Sequence, residues 1–176
     1  EQLHDEIERD DPLCGAVCRT VDLTNSVPAL SDNRPLDLSG AQIGHLKLDG
    51  ATVSSAVCLK EAAVERITAE NAVIEGALHA SGLTCETFNA SEVTIEGDLE
   101  LSHATIDDLL ELTESRIECL RATDLTVDGK VRIDDCSFRE HVSVVDSTIR
   151  SASTFRYSDF EGRVTIKNTT FEDNLD

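Results

Sequence analysis

The sequence predicts an all-β protein: a parallel β-helix, or solenoid, of about six coils with a short N-terminal helical cap. Three observations support this prediction. A unit of ten or eleven residues repeats from Leu36 to Phe171, each unit holds two pairs of apolar or small residues spaced two apart, and short polar segments separate the pairs. A spacing of two indicates a short strand, and the polar segments, rich in Gly, Ser, Asp, Glu and Asn, indicate turns.

Within the repeat, positions 1 and 3 are apolar in every unit, position 6 prefers small residues and position 8 prefers β-branched ones. Alternate units begin at residues 36, 57, 78, 99, 120, 142 and 164, a spacing of 21 or 22 residues. Two units are therefore expected to close one four-sided coil, so that each position stacks on its counterpart about 4.8 Å away. Position 7 points outward and forms a threonine-rich column that is expected to alternate between opposite faces: Thr52, Thr84, Thr94, Thr105, Thr126, Thr148 and Thr170.

The two ends of the chain depart from the repeat. Leu3 and Ile7 share a helical face, and Asp11-Pro12 has the form of an N-cap followed by proline, so residues 1–25 are expected to form a helical cap over the first coil. Residues 26–35 are a predicted loop, 36–171 the β-helix and 172–176 a C-terminal tail, where end-to-end association or a longer parent chain is expected. Aromatic residues predicted in inward columns there are either core or an association edge: Phe155, Tyr157, Phe160 and Phe171.

The units resemble the pentapeptide-repeat family, whose repeat is Ala-Asp/Asn-Leu-x-x. The matching segments are Ala41-Gln-Ile43, Ala51-Thr-Val53 and Ala104-Thr-Ile106, preceded by segments such as Leu36-Asp-Leu38. The resemblance covers about three quarters of the chain and implies a right-handed quadrilateral β-helix. Half of the units carry Leu or Val where the family prefers Ala, and an extra residue enters most coils, so a wider and less regular coil is expected.

The chain is strongly acidic, with 35 acidic and 15 basic residues and a net charge of −20. Such a surface repels phosphates, so direct nucleic-acid binding is not expected. The charge has two open interpretations: a halophilic adaptation to a salt-rich cytoplasm, or imitation of DNA toward a DNA-binding partner. It is also uneven, because residues 1–115 hold 23 acids and 6 bases whereas residues 116–176 hold 12 acids and 9 bases.

The repeat period stacks some of these acids into two predicted ladders, which are the candidate binding surfaces. Both occupy position 9 of the unit, on opposite sides of the rod. The first ladder is Glu65, Glu86, Asp107 and Asp128; the second is Glu75, Glu96 and Glu118.

No set of converging groups predicts catalysis, a metal site or a cofactor. The histidines of the repeat fall at corners or outward positions on different coils: His45, His79, His103 and His141. Among the cysteines, Cys85 and Cys136 are predicted in the core, Cys58 and Cys119 point outward, and Cys14 and Cys18 have a spacing that suits neither a disulfide nor zinc.

The compartment stays open at this stage. Thiols without predicted partners favour a reducing compartment such as the cytoplasm, whereas the glycosylation sequons at Asn89 and Asn168 point to a secreted protein. No apolar run approaches the length of a membrane span.

These features predict a non-enzymatic scaffold, an acidic rigid rod that binds another protein or associates with itself as a dimer or end to end. The alternative follows from the resemblance. Some pentapeptide-repeat proteins look like B-DNA to a type II topoisomerase (gyrase) and protect or inhibit it, and the carboxylates of the two ladders would then act as phosphate mimics.

Overall fold

The computed structural model describes residues 13–28, 30 and 34–176, and in these residues the chain is an all-β parallel solenoid of about seven turns with no helix. Its strands, numbered in chain order, form two parallel sheets. The first sheet contains β1 (Val17–Asp22), β3 (Gln42–Lys47), β6 (Ala63–Thr68), β9 (Thr84–Asn89), β11 (Thr105–Glu111), β13 (Thr126–Val127), β14 (Lys130–Arg132), β17 (Thr148–Ile149), β18 (Ser153–Thr154) and β21 (Thr170–Phe171). The second contains β2 (Leu36–Asp37), β4 (Thr52–Val53), β5 (Val57–Cys58), β7 (Val73–Ile74), β8 (Leu78–His79), β10 (Thr94–Glu100), β12 (Arg116–Thr123), β15 (Ser137–Phe138), β16 (Val142–Val145), β19 (Asp159–Phe160) and β20 (Val164–Lys167).

The observed strand register confirms the predicted stacking of the repeat. One inward column follows the predicted starts of the alternate units without a break: Leu36, Val57, Leu78, Leu99, Leu120, Val142 and Val164. The first six of these side chains are buried, and a single apolar core runs through the described coils. Strands buried on one face and stacked in register explain why Leu, Ile, Val and Ala suffice to fill this core.

The helical cap predicted for residues 1–25 is wrong where the structure describes it. Residues 17–22 form β1, which pairs in parallel with β3, so that Val21 lies against Leu46 in the core. The backbone hydrogen bonds offered by β3 and the burial of Val21 outweigh the local helical pattern. This strand adds a turn ahead of Leu36, which is why the solenoid exceeds the six predicted coils. Residues 1–12, with the predicted Asp11-Pro12 cap, lie outside the described residues.

A tight turn with a left-handed residue joins positions 3 and 6 within the units of the repeat. In the turn from Leu38 to Ala41, the Ala41 amide donates to the Leu38 carbonyl at 3.1 Å and Gly40 has φ +65°. A positive φ confined to the third residue is typical of a type II turn. Most coils place a residue other than glycine there, for example Asn71 (φ 57°) and Glu92 (φ 55°).

In several of these turns, a serine hydroxyl from the next coil bridges the amide and the carbonyl that would otherwise bond directly. The Ser115 hydroxyl accepts a hydrogen bond from the Val93 amide at 3.2 Å and donates to the Ala90 carbonyl at 2.9 Å, which replaces the direct bond of the closed turn. Ser147 and Ser158 act in the same way on the turns of their preceding coils. The hydroxyl therefore satisfies a donor and an acceptor that burial would otherwise leave unpaired. Sequence reasoning assigned this column only a preference for small residues.

Candidate functional site

The first acidic ladder lies on one continuous face of the rod. Its members follow the inward residues Val64, Cys85, Ile106 and Val127, which are paired strand to strand. Glu65, Glu86, Asp107 and Asp128 therefore occupy successive coils, about 4.8 Å apart, and all four are exposed. Two unit charges at that spacing repel by somewhat under about 1 kcal/mol in bulk water, so the ladder favours salt or a cationic neighbour.

The second ladder lies on the other sheet. Glu75, Glu96 and Glu118 follow the inward residues Ile74, Ile95 and Ile117, which stack in one column. Glu75 and Glu96 are exposed, and Glu118 is half-buried. The register thus brings together the members of each predicted ladder and keeps the two ladders on different sheets.

Arginines neutralise the ladders at their C-terminal ends. Arg150 contacts Asp128 and lies 3.8 Å from Glu172, whereas Arg139 lies 3.8 Å from Glu118. Further pairs join neighbouring coils, including Arg121 with Asp98 at 2.7 Å. Within the described chain, the ladder residues Glu65, Glu86, Asp107, Glu75 and Glu96 form no ion pair within 4.0 Å. The ladder carboxylates are therefore without ion pairs in the N-terminal part of the rod and paired with arginines toward its C-terminal end, in line with the charge gradient of the sequence.

A threonine column runs beside the first ladder. The register stacks Thr84, Thr105, Thr126, Thr148 and Thr170 in one uninterrupted column of the first sheet. Thr52 and Thr94 lie on the second sheet and belong to another column. The threonine positions therefore fall on both sheets, as expected, and each half-coil contributes a separate column.

A shallow groove opens beside the N-terminal rungs of the first ladder. Its lining includes Gly44, Glu65, Glu86 and Asp107. Gly44 occupies the ladder position in its coil. A Cβ atom there would lie 2.6 Å from the Arg19 carbonyl oxygen, so this position has no room for a side chain. The groove is open to solvent, and its four carboxylates, with Asp108 as the fourth, outnumber its single basic residue, Arg19, which suits an extended cationic segment better than a small apolar ligand.

The histidines lie apart from one another, as the sequence predicts. His103 is exposed at a left-handed turn position and lies 3.5 Å from Asp124, whereas His141 is half-buried beside Arg121. Partial burial, followed by the charges of Lys47 and Arg66, lowers the pKa of His45. Residues 13–28, 30 and 34–176 contain no group of three or more His, Cys, Asp and Glu side chains that could hold a metal ion.

The cysteines follow the prediction with one exception. Cys85 and Cys136 are buried in the core, and Cys58 is half-buried with its sulfur 3.0 Å from the Ser39 hydroxyl. Cys119, predicted to face outward, is buried, because the strand pairing shifts by one residue at this corner and places Cys119 against Asp98. All six thiols are free.

We predict that thiol-reactive probes distinguish these cysteines in the folded protein. Burial raises the pKa of Cys85 to about 12 and that of Cys136 to about 11, so that neither supplies thiolate near neutral pH. Cys14, which is exposed, should react with iodoacetamide first. Peptide mapping by mass spectrometry measures the order, and denatured protein, in which all six should react, is the control. Labelling of Cys85 or Cys136 as fast as Cys14 would contradict the assigned register.

The four aromatic residues of the predicted association end do not share one environment. Phe160 stacks on Phe138 with ring centroids 5.3 Å apart, and Phe155 and Phe171 are half-buried against the core. Tyr157, however, is 84% exposed at a left-handed turn position. The inward position predicted for Tyr157 is wrong because Ser153, rather than Phe155, stacks on Val131, which moves both aromatic residues two positions along the unit.

Sequence reasoning did not include three further apolar residues at this end. Val164, Ile166 and Leu175 are 45%, 52% and 51% exposed. They pair with the preceding coil and are the last members of their inward columns among the described residues. Their position as the last residues of their inward columns is the sequence feature that could have identified them.

Comparisons with known proteins name no relative: no protein-family model matches the chain, and no curated protein matches it significantly. In the described residues there is no helix with the length and apolar character needed to cross a membrane.

Proposed function

We propose that this chain is a non-enzymatic interaction scaffold, an acidic rigid rod that binds a cationic protein segment along its first ladder. The observation that supports the proposal best is the run of uncompensated carboxylates at Glu65, Glu86 and Asp107, beside an open groove. Strands hydrogen-bonded on both sides hold these carboxylates at a fixed spacing. A partner therefore meets a preorganised row of charges and loses only its own freedom on binding.

A right-handed quadrilateral coil of the pentapeptide-repeat kind remains our proposal for the finer architecture. Its support is the presence of four short inward segments in one turn, for example at Leu36, Ile43, Leu46 and Val53, all buried. Four flat sides would separate the two ladders and let each act as an independent surface.

The ladder substitutions Glu86→Gln and Asp107→Asn, made together, should weaken the binding of an oligolysine peptide about tenfold, because two adjacent rungs lose their charge. The matched control carries Glu61→Gln and Glu92→Gln, which remove the same charge from exposed turn positions outside the ladders. Fluorescence anisotropy of a labelled peptide, measured over a salt series, gives both affinities.

An equal loss of affinity in the two variants would mean that the peptide responds to net charge alone, and the ladder proposal would fail. Circular dichroism on the same samples shows whether the chain folds only in molar KCl. If it does, the acidity is instead an adaptation to a salt-rich environment.

DNA mimicry toward a type II topoisomerase is the second candidate, and the charge density of the rod supports it. Residues 61–123 span about three coils and contain 14 acidic and three basic residues, a net charge of −11. At about 4.8 Å per coil this is roughly one charge per 1.3 Å of axis, compared with one per about 1.7 Å in B-DNA. The same ladder variant tests this candidate in a gyrase supercoiling assay: inhibition by the native rod that the ladder variant loses supports it, and no inhibition by the native rod excludes it.

A further inference from the structure

The column that holds the first ladder continues toward the N-terminus with residues of different charge. The pairing of β1 with β3 and of β3 with β6 places Arg19, Gly44 and Glu65 on successive rungs. Read from its N-terminal end, the column therefore presents an arginine, a gap at Gly44 and then the uncompensated carboxylates Glu65, Glu86 and Asp107. A ligand that lies along this column meets three negative charges and then, two rungs beyond Glu65, a positive one.

Three nitrogen-bearing side chains meet at this end of the column. His45 of β3 lies opposite Arg66 of β6, and Arg19 lies on β1, the strand on the other side of β3. All three line one surface pocket of about 170 Å³, whose lining is Arg19, Thr20, Gly44, His45, Glu65 and Arg66. Pockets for drug-sized ligands measure roughly 300–1,000 Å³, so this pocket suits a single small group.

Both arginines of this pocket are exposed and lack a partner in the part of the chain that the structure describes. Neither guanidinium forms a hydrogen bond or an ion pair within 4.0 Å, although Glu65 lines the same pocket. Elsewhere several arginines bind carboxylates of neighbouring coils, for example Arg121 with Asp98 at 2.7 Å. Since the chain contains 35 acidic residues, the two unpaired guanidiniums do not reflect a shortage of partners. Their N–H donors are available to an external anion.

Among the charges around His45, the cationic ones dominate. Burial, followed by the charges of Lys47 and Arg66, lowers the pKa of His45, and the carboxylates of Asp49 and Asp22 oppose this shift without cancelling it. The imidazole is therefore neutral near pH 7 and carries one N–H donor. An anion bound in the pocket adds a negative charge beside the ring and raises this pKa toward its ordinary value.

We propose that the pocket of Arg19, His45 and Arg66 binds a phosphate group carried by the segment that lies along the first ladder. The inference rests on the proposed function and specifies its partner. Guanidinium groups bind phosphate through paired N–H donors, and a phosphorylated side chain offers three acceptor oxygens with a charge of about −1.5 to −2 near neutral pH. A carboxylate has two oxygens and a single charge, so it satisfies fewer of the donors that converge here.

The geometry of the column determines the spacing of charges within that segment. Glu65 and Arg19 are two rungs apart, about 10 Å, which an extended chain covers in about three residues. We therefore expect basic residues opposite Glu65, Glu86 and Asp107, and a phosphoserine or phosphothreonine about three residues beyond the base that meets Glu65. The segment then carries its two signs of charge in the order that complements the column.

Fluorescence anisotropy on the full chain tests the inference with two labelled peptides, in which trilysine is followed by two glycines and either phosphoserine or serine. Both peptides are also made in reverse order, because an extended segment can run along the column in either direction. Phosphorylation lowers the positive charge of the peptide, so attraction to the net charge of −20 alone predicts weaker binding. The pocket predicts the opposite, a gain in affinity of at least about fivefold in one of the two orders.

Arg66→Gln should abolish this gain, and Arg19→Gln is a second variant with the same expected result. The matched control, Lys60→Gln, removes the same charge from an exposed turn residue outside the pocket and should keep the gain. Circular dichroism checks that each variant folds. No gain in either order, or an equal loss of the gain in the pocket variants and in Lys60→Gln, would overturn the inference.

The imidazole of His45 provides a measurement that needs no substitution. Its pKa, followed by NMR, should rise when the phosphopeptide binds, whereas the signals of the exposed His103 should not respond. Inorganic phosphate should produce the same rise only at a concentration at least about tenfold higher. An equal response to inorganic phosphate would assign the pocket to free phosphate and overturn its assignment to a peptide segment. Because the unphosphorylated peptide measures the ladder alone, failure of the pocket and failure of the ladder proposal are distinguishable.

Discussion

Replacing Phe88 by alanine lowers the free energy of unfolding by about 3–5 kcal/mol. Phe88 is 0% exposed and stacks between Ile67 and Leu110 in one inward column. The loss includes the transfer of the ring from the core and the cavity that it leaves. The cavity cannot collapse easily, because β9 is hydrogen-bonded to β6 on one side and to β11 on the other.

Urea denaturation followed by circular dichroism measures this loss. The matched control is Phe171→Ala, which removes the same ring from the last coil, where it is half-buried. We expect the control to cost less than half as much. Since a solenoid is stabilised by contacts between neighbouring coils, the Phe88 variant should also broaden the transition as the two halves lose coupling. Equal losses for the two variants would contradict the closed core assigned to the central coils.

The central coils could be predicted from the sequence because their order repeats. Each residue contacts its counterpart about 21 residues away, so a constant period determines both the register and the residues that share a face. The positions of the ladder residues Glu65, Glu86 and Asp107 followed directly from that period. The same period also places Arg150 on the rung after Asp128, because Ile149 stacks on Val127, but the ion pair between the two side chains was not predicted.

Prediction failed where the period breaks. At the N-terminus, the local signs of a helix compete with strand pairing to β3, and a contact between residues 17–22 and 42–47 is not visible in local propensity. Near the C-terminus, Phe155 was assigned to position 1 because it is apolar, yet the small polar residue Ser153 occupies the buried position opposite Val131. A buried serine satisfied by its own turn, through a bond from its hydroxyl to the Ser151 carbonyl, resembles a loop residue in sequence.

Replacing Gly129 by alanine should destabilise the rod by steric overlap alone. Gly129 follows the last residue of the first ladder, and a Cβ there would overlap the carbonyl carbon and oxygen of Asp108 in the preceding coil. Backbone atoms cannot turn aside as a flexible side chain can, and the neighbouring pair Leu109 and Lys130 is fixed by the sheet. We expect a loss of about 1–3 kcal/mol in the free energy of unfolding, as for an overpacked core.

A control separates this overlap from backbone strain. Gly40 has φ +65° and open space around its Cβ position, so Gly40→Ala carries only the strain of a left-handed alanine, roughly 1 kcal/mol. Thermal and urea unfolding of both variants measure the two costs. If Gly129→Ala unfolds like the native chain, the coils do not approach closely at this corner. A larger loss than for Gly40→Ala means that the spacing of successive coils beside Asp128, and with it the spacing of the ladder carboxylates, depends on a residue without a side chain.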